Sequence, residues 1–284
     1  LYTKTTVSEL KMAAIEKEEA EAAHPFEENE PKEEAKKPEP DRSKGINYNI
    51  INRHLGEGTP KEKFRRNVNA IKMLNQIESE GRIANPAEQE TLAQYVGWGG
   101  LADAFDDTKS NWASEYAELK ALLTPEEYKM ARESTLNAHY TSPTVIRSMY
   151  HALENMGFSK GNVLEPSMGI GNFFGMMPPT MEHSRLYGVE LDDITGRIAK
   201  QLYPQTDVQI KGFVKTDYPN DFFDVAIGNV PFGQYKVSDK QYDKNNFLIH
   251  DYFFAKALDK VRPGGVVAFI TSKGTMDKAS PEVR

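Results

Sequence analysis

Asp224-Val225-Ala226-Ile227-Gly228-Asn229-Val230-Pro231-Phe232 is the stretch on which the reading of this chain turns. Its short apolar run predicts a strand buried in a sheet, and the Asn-x-Pro-aromatic corner at its end gathers an amide, a stiffened backbone carbonyl and a flat ring at one point. Such a trio suits the exocyclic amino group of a base. An aromatic amine is a poor nucleophile because its lone pair is delocalised into the ring, and two acceptors on its hydrogens push the nitrogen toward a tetrahedral form. Asn229 offers one acceptor through its side-chain oxygen, and Val230 offers the other through its carbonyl. Phe232 offers a stacking face, an interaction worth roughly 1–3 kcal/mol per base. The same four residue types also make ordinary surface turns, so the surroundings have to decide.

Working outward, apolar runs alternate with helical periodicity. Strands are expected at Val163-Leu164, Leu186–Val189, Val208–Ile210, Val225–Ile227 and Val266–Ile270, with helices at Ile194–Leu202 and Phe247–Val261 between them. Before the first strand, Ser142-Pro143 caps a helix whose apolar positions are Val145, Ile146, Met149, Tyr150, Leu153 and Met156, and Gly157 stops it. This alternation predicts an α/β fold with a doubly wound, mostly parallel sheet over residues 138–284.

Residues 45–137 read as an α-helical domain. Phe64, Val68, Ile71, Leu74 and Ile77 recur at helical steps and predict a helix over Lys61–Glu80, ended by Gly81. A second helix is expected at Pro86–Val96, leading into Gly97-Trp98-Gly99-Gly100. A third starts at the capping box Thr124-Pro125-Glu126-Glu127 and runs to about Asn137. Lys61, Lys63, Arg65 and Arg66 form a charged face that suits either phosphates or plain solvent. Residues 1–44 are rich in Glu, Ala, Lys and Pro and read as a disordered acidic linker, with Ser8–Ala23 as its most helix-prone part.

Composition narrows the function classes. Of 284 residues 39% are hydrophobic, there is no cysteine, and the six histidines have no metal-ligand spacing, so neither a disulfide nor a metal site is expected. No apolar run approaches the roughly 20 residues of a membrane span. A cytoplasmic setting without membrane contact fits these features. The net charge is −7, and the first 44 residues, with 12 acidic and 8 basic side chains, supply much of it. Nucleic-acid binding therefore has to rest on a local basic patch. The chain begins with Leu1, which reads as a piece of a longer protein.

Two further constellations carry chemistry. Glu165-Pro166-Ser167-Met168-Gly169-Ile170-Gly171 follows the first strand, and glycines at Gly169 and Gly171 let a ligand lie against bare backbone. Phe174 stands where the dinucleotide fingerprint needs glycine. Glu190 ends the second strand about 20 residues on, where a carboxylate either accepts from two ribose hydroxyls or opens the next helix. Beyond the corner, Tyr235, Lys236, Lys240 and Lys244 interleave rings and cations beside Asp239 and Asp243, as in a loop gripping a nucleic-acid strand or an ordinary polar loop.

In this order the motifs resemble the amino-group methyltransferases that use S-adenosyl-L-methionine, most closely the adenine-N6 DNA methyltransferases. The resemblance rests on Tyr140-Thr141-Ser142-Pro143, the Glu165–Gly171 loop, Glu190 and Asn229-Val230-Pro231-Phe232, and covers residues 138–277. It is closest to the large methylase-helicase (SNF2-type) proteins of phages and conjugative elements, with Gly212-Phe213, Asp251-Tyr252-Phe253-Phe254 and Ser272-Lys273-Gly274 adding to it. The resemblance implies a class I, Rossmann-like methyltransferase fold, here C-terminally truncated after the fifth strand. It implies DNA as partner and a helicase region on the same full-length chain. Tyr140 and Thr141 then border the methionine end of the cofactor, Glu165, Pro166, Gly169 and Gly171 hold its amino-acid part, Glu190 takes the ribose and Phe213 lies against the adenine. Asn229, Val230, Pro231 and Phe232 form the catalytic corner. Two positions depart from the pattern: Val230 replaces a proline and loosens the corner, and Gly212 stands where many relatives have aspartate. Two other functions remain open on the residues. One is a protein glutamine methyltransferase, whose amide fits the same acceptor pair; the other is a non-catalytic module that binds cofactor or DNA for a helicase.

Overall fold

The computed structural model describes residues 40–52, 56–135, 140–275 and 277. Most of the expected acidic linker, with its Ser8–Ala23 segment, lies outside them, as do Ala138 and His139. Pro40–Arg284 forms one compact unit, in which helical segments and sheet share a hydrophobic core.

Three capping boxes set the helical part. Thr59 and Glu62 start α1 (Pro60–Ser79), Asn85 and Glu88 start α2 (Pro86–Leu92), and Thr124 and Glu127 start α4 (Pro125–Ser134). Each exchanges side-chain and backbone hydrogen bonds across the first turn, with proline where no N–H is needed. α1 buries Phe64, Val68, Ile71, Leu74 and Ile77, the expected stripe. On its basic face, surface pairs form with neighbouring segments: Lys61 with Glu115 at 2.7 Å and Arg65 with Glu118 at 2.9 Å. α2 ends four residues short of the expected Val96, because buried Asn67 captures the chain there. Its side-chain oxygen accepts from the Val96 N–H at 2.9 Å, and its amide donates to the Gly97 carbonyl at 2.6 Å. α3 (Ala113–Leu122) was not anticipated; it buries only Leu119 and so has no apolar stripe to read.

α5 (Pro143–Asn155) follows its Ser142 cap and buries Ile146, Tyr150 and Leu153. Val145 and Met156, expected among its core positions, are 41% and 68% exposed. The sheet then alternates as read: β1 (Asn162–Glu165), α6 (Asn172–Gly175), β2 (Arg185–Glu190), α7 (Asp193–Leu202), β3 (Asp207–Ile210), β4 (Phe223–Asn229), α8 (Ile249–Lys260) and β5 (Val261–Ile270). All neighbours are parallel and the order is β3-β2-β1-β4-β5. This is the doubly wound, Rossmann-like arrangement expected for a class I methyltransferase fold. β5 starts five residues before the expected Val266: Phe223 pairs with Val261 and Val225 with Val266, so Arg262–Gly265 bulges out between them.

Side chains alternate across the sheet, so Val163, Val225 and Ile227 join the core shared with the helical part, while Leu164 and Ala226 join a second core under α8. Among the described residues no helix is long and apolar enough to cross a membrane.

Asn67→Leu keeps the volume of the Gly97 turn but leaves a buried N–H and C=O unpaired. It should lower stability by about 2–5 kcal/mol in urea unfolding, and a loss below about 1 kcal/mol would show that the turn does not depend on this amide.

Candidate active site

Parallel strands end together, so the ends of β1, β2 and β4 bring three of the sequence motifs to one edge of the sheet. Glu165, the last residue of β1, is 2% exposed. Its side chain passes across Gly228 of β4: a β-carbon there would lie 3.3 Å from Glu165 Cγ and 3.9 Å from Pro166 Cδ. Glycine at position 228 therefore leaves space for the Glu165 side chain beside the residue that precedes Asn229.

The glycine loop folds back onto β2. Met168 donates its N–H to the Val189 carbonyl at 2.9 Å, and Gly169 donates to Glu190 Oε2 at 2.8 Å. The other Glu190 oxygen accepts from the Asp192 N–H at 2.8 Å, and Asp192 caps α7 through the Thr195 N–H at 2.8 Å. Gly169 and Gly171 both have positive φ, +56° and +85°, but they face different things. Nothing lies within 4 Å of a β-carbon placed on Gly169, whereas one on Gly171 would run into the Tyr203 ring. Gly169 is thus the glycine that leaves room for a ligand, and Gly171 is demanded by the protein's own packing.

The corner is firmer than the sequence implied. Val230 donates its N–H to the Ile270 carbonyl at 3.1 Å and is 1% exposed. Proline has no N–H to make that bond, so the substitution ties the corner to β5 instead of loosening it. Asn229, Pro231 and Phe232 beside it are half-buried.

Other expected site residues are placed as follows. Tyr140 is half-buried with its ring over Gly56, and burial pushes its phenol up to about 12. Thr141 next to it is half-buried. Phe213 is 3% exposed: its ring packs on Phe253 at 5.2 Å, and Lys256 Nζ sits 5.1 Å from its centroid. The structure therefore makes Phe213 a core residue with little ring left to show a ligand. The exposed apolar side chain at that edge is Leu191, which sequence reasoning missed; it is 63% exposed and lies 3.8 Å from the space a Gly212 β-carbon would fill. Its signal was an apolar residue placed directly after Glu190.

Tyr235, Lys236, Lys240 and Lys244 are all exposed on the loop after the corner. Lys236 donates to Asn246 Oδ1 at 2.5 Å, and Tyr235 accepts from the Ile249 N–H at 2.9 Å. Asp239 anchors the loop to α8. It accepts from Tyr252 Oη at 2.7 Å and from buried Lys256 Nζ at 3.1 Å. A cavity of about 390 Å³ opens between the loop and α8, lined in part by Lys236, Ser238, Asn246 and Phe247. Among the described residues, no three His, Cys, Asp or Glu gather as metal ligands.

Electrostatically the edge is a cluster of crowded carboxyls. Burial holds the Glu165 carboxyl well above the carboxylate range, with the Glu190 charge adding to it. Burial also pushes Glu190 up to about 7, against the N–H bonds from Asp192 and Gly169. Glu165 Oε2 is buried without a hydrogen-bond donor. A ligand bearing a positive charge and several N–H or O–H donors meets those demands; an anion does not.

No protein-family profile matches the chain. It is 29% identical over 221 residues to "Defense against restriction protein B" of Escherichia phage P1, across 75% of this chain and 8% of that protein. It is 28% identical over 151 residues to the rRNA N(6)-adenosine-methyltransferase metl-5 of Caenorhabditis elegans, across 50% of this chain and 66% of that one. The chain is a homologue of both. The matched parts span less than two thirds of either relative's length. Among solved structures, a putative class I S-adenosylmethionine-dependent methyltransferase from Listeria monocytogenes aligns at 14% identity with a TM-score of 0.41, covering 78% of this chain and 75% of that one. An O-methyltransferase from Bacillus cereus in complex with SAH aligns at 18% identity with a TM-score of 0.31, covering 60% and 80%.

The carboxyl cluster makes a pH prediction. Glu165 and Glu190 bind protons more tightly folded than unfolded, so the stability they contribute is full below about 4.5, the ordinary Glu value, and is lost as pH rises through their folded values. Urea unfolding of the ligand-free protein should give a stability that falls from pH 5 to pH 8, and Glu165→Gln should flatten that fall. The same slope in both proteins would contradict the burial of a titrating Glu165.

Proposed function

We propose that this chain transfers a methyl group from S-adenosyl-L-methionine to the N6 amino group of adenine in DNA. The observation that supports the proposal is the packing of Glu165 against Gly228, the residue directly before Asn229. A donor-rich cationic ligand at Glu165 and an amino group at Asn229 would be neighbours. Relatives whose names carry N6-adenosine methylation and defence against restriction support the reaction and the nucleic-acid class.

The residues fit the cofactor's chemistry. Glu165, with its unpaired buried oxygen, accepts from the α-ammonium group; Gly169 gives the chain room to pass; Glu190 accepts from the ribose hydroxyls, and Leu191 offers an apolar contact for the adenine ring. When bound, the cofactor supplies an electrophilic methyl group on a sulfonium. Asn229 Oδ1 and the Val230 carbonyl accept the two N6 hydrogens and aim the nitrogen lone pair, while Phe232 and Pro231 face the flipped base. Transfer would form the N6–C bond as the bound donor's S–C bond breaks, and the alkylated amine would be acidic enough to lose its proton to solvent, so no residue of the chain has to act as a strong base. Positioning and fixed dipoles carry the catalysis. Tyr140 and Thr141 border the methionine end, and Tyr235, Lys236, Lys240 and Lys244 contact the DNA strand next to the flipped base. A helicase region on the same full-length protein would present that strand.

Tritium transfer from labelled S-adenosylmethionine, followed by hydrolysis, tests the reaction: label in N6-methyladenine from DNA is expected. Label in RNA, in protein glutamine, or nowhere would overturn the substrate. Asn229→Ala should lower turnover by at least 100-fold with cofactor Kd nearly unchanged. Glu190→Ala should weaken the cofactor by roughly 1.5–3 kcal/mol. Equal losses of affinity in calorimetry would sink this division of labour.

Phe232→Tyr and Phe232→Trp should keep most activity and Phe232→Ala should lose most of it, because only a π-face is required. Steady-state rates on one oligonucleotide settle this, and full activity of the alanine variant would refute stacking.

A further inference from the structure

The cavity of about 390 Å³ beside the corner loop has walls held in place by the protein's own bonds. At the start of the loop, the Tyr235 carbonyl accepts from the N–H of Ile249, the first residue of α8, at 2.9 Å. Further on, Asp239 accepts from Tyr252 Oη at 2.7 Å and from Lys256 Nζ at 3.1 Å, and Tyr242 Oη donates to Asp259 Oδ2 at 2.7 Å. With their hydroxyls so fixed, the Tyr242 and Tyr252 rings meet edge to face at 5.5 Å and are 6% and 2% exposed. Both line the cavity, and half-buried Phe247 adds a third ring. The polar lining includes Lys236, Asp243 and Asn246, all exposed.

This lining selects among ligands. A phosphate would meet the Asp243 carboxylate, and a purely apolar group would strip water from Lys236 and Asn246 without replacing its hydrogen bonds. A nucleobase offers a π-face to Phe247 and an edge of donors and acceptors to the polar side. Lys236 Nζ donates to Asn246 Oδ1 at 2.5 Å, which takes the acceptor end of that amide and leaves its N–H end to donate to a base. The volume falls in the range of small-ligand pockets, roughly 300–1,000 Å³. At most about 14 Å of chain separates Phe232 from Lys236, so the cavity lies within a few nucleotides of the corner. A target base turned out of its stack also deprives its neighbour of a stacking face, so moving that neighbour into a ring-lined pocket costs less than moving any other base.

We propose that this cavity is a second base site, which takes a base next to the methylated adenine by stacking on Phe247 and hydrogen bonding to Asn246. The inference rests on the DNA reading above and deepens it, because the loop then reads the target's neighbour as well as holding the strand.

The test uses the full chain and oligonucleotides with one adenine, in which each nearby nucleotide is made abasic in turn. One neighbouring position should raise KM for DNA about 5- to 20-fold, while kcat and cofactor Kd stay within about twofold. Phe247→Ala should raise KM on the intact oligonucleotide by a similar factor and cause no further loss on the abasic one, because ring and base are partners in one contact. Asn246→Asp, a replacement that also tolerates the φ of +54° at this position, exchanges donors for acceptors and should change which base is preferred there. Abasic effects that are absent, or equal at every position, would overturn the proposal. So would additive losses for Phe247→Ala and the abasic site. If Phe247→Ala does not fold, the wild-type abasic series and Asn246→Asp decide, and an unchanged base preference in Asn246→Asp also overturns it. A wild-type chain that methylates no DNA removes the substrate reading along with this inference, whereas methylation indifferent to every neighbour removes only this inference.

Discussion

A carboxylate that accepts from both a loop and a helix is the constraint around which this edge of the molecule is arranged. Glu190 takes the Gly169 N–H on one oxygen and the Asp192 N–H on the other. The β1 loop cannot move without the end of β2, and the end of β2 cannot move without α7. Such fixing has an electrostatic consequence. At Glu190 the N–H bonds from Asp192, Gly169 and Leu191 only partly offset desolvation, and Glu165 Oε2 has no donor, so both carboxyls are driven toward the protonated form. A site strained in this sense favours a cationic, donor-rich ligand over any other, because that ligand restores the charged form of both groups at once.

The helical part completes the same constraint from outside the sheet. An α/β sheet needs a layer on each face, and here one layer is partly built of α1, α2 and α4 closing over α7. The junction is polar as well as apolar: Gln89, Gln201 and Asn67 are buried and each finds backbone partners. Apolar packing would tolerate sliding of one layer on the other, whereas directional bonds to specific carbonyls fix the register. The helical segment is thus part of the site's frame and not a tethered neighbour.

How much of this was legible in the sequence follows from which forces leave a local trace. Capping boxes, period-two strands and the order of motifs are local, and the helices at Pro60, Pro86 and Pro125 and all five strands emerged from them. α3 was not legible because its sequence has no apolar face, and the early start of β5 was hidden in Arg262-Pro263-Gly264-Gly265, which reads as a turn and serves as a bulge. At the site, the glycines were recognised but their division of labour was not, since Tyr203, whose ring requires Gly171, is 32 positions away along the chain. Phe213 was read for its ring face, and only tertiary packing shows that Phe253 and Lys256 already occupy it.

The corner loop shows why a chain of net charge −7 is not thereby unsuited to a polyanion. What matters is where each charge is spent. Asp239 is turned inward onto Tyr252 and Lys256, and Asp243 accepts the Asp239 N–H at 2.8 Å and caps the loop from within. With those carboxylates engaged by donors of α8 and of the loop itself, Lys240 and Lys244 remain on the surface, as do Lys236 and Tyr235. Phosphate attraction falls off within about a Debye length, roughly 8–10 Å, so the acidic residues of distant helices weigh little against cations placed next to the corner. On the proposed reading, the sign of the loop weighs more than that of the whole chain for a strand approaching Asn229.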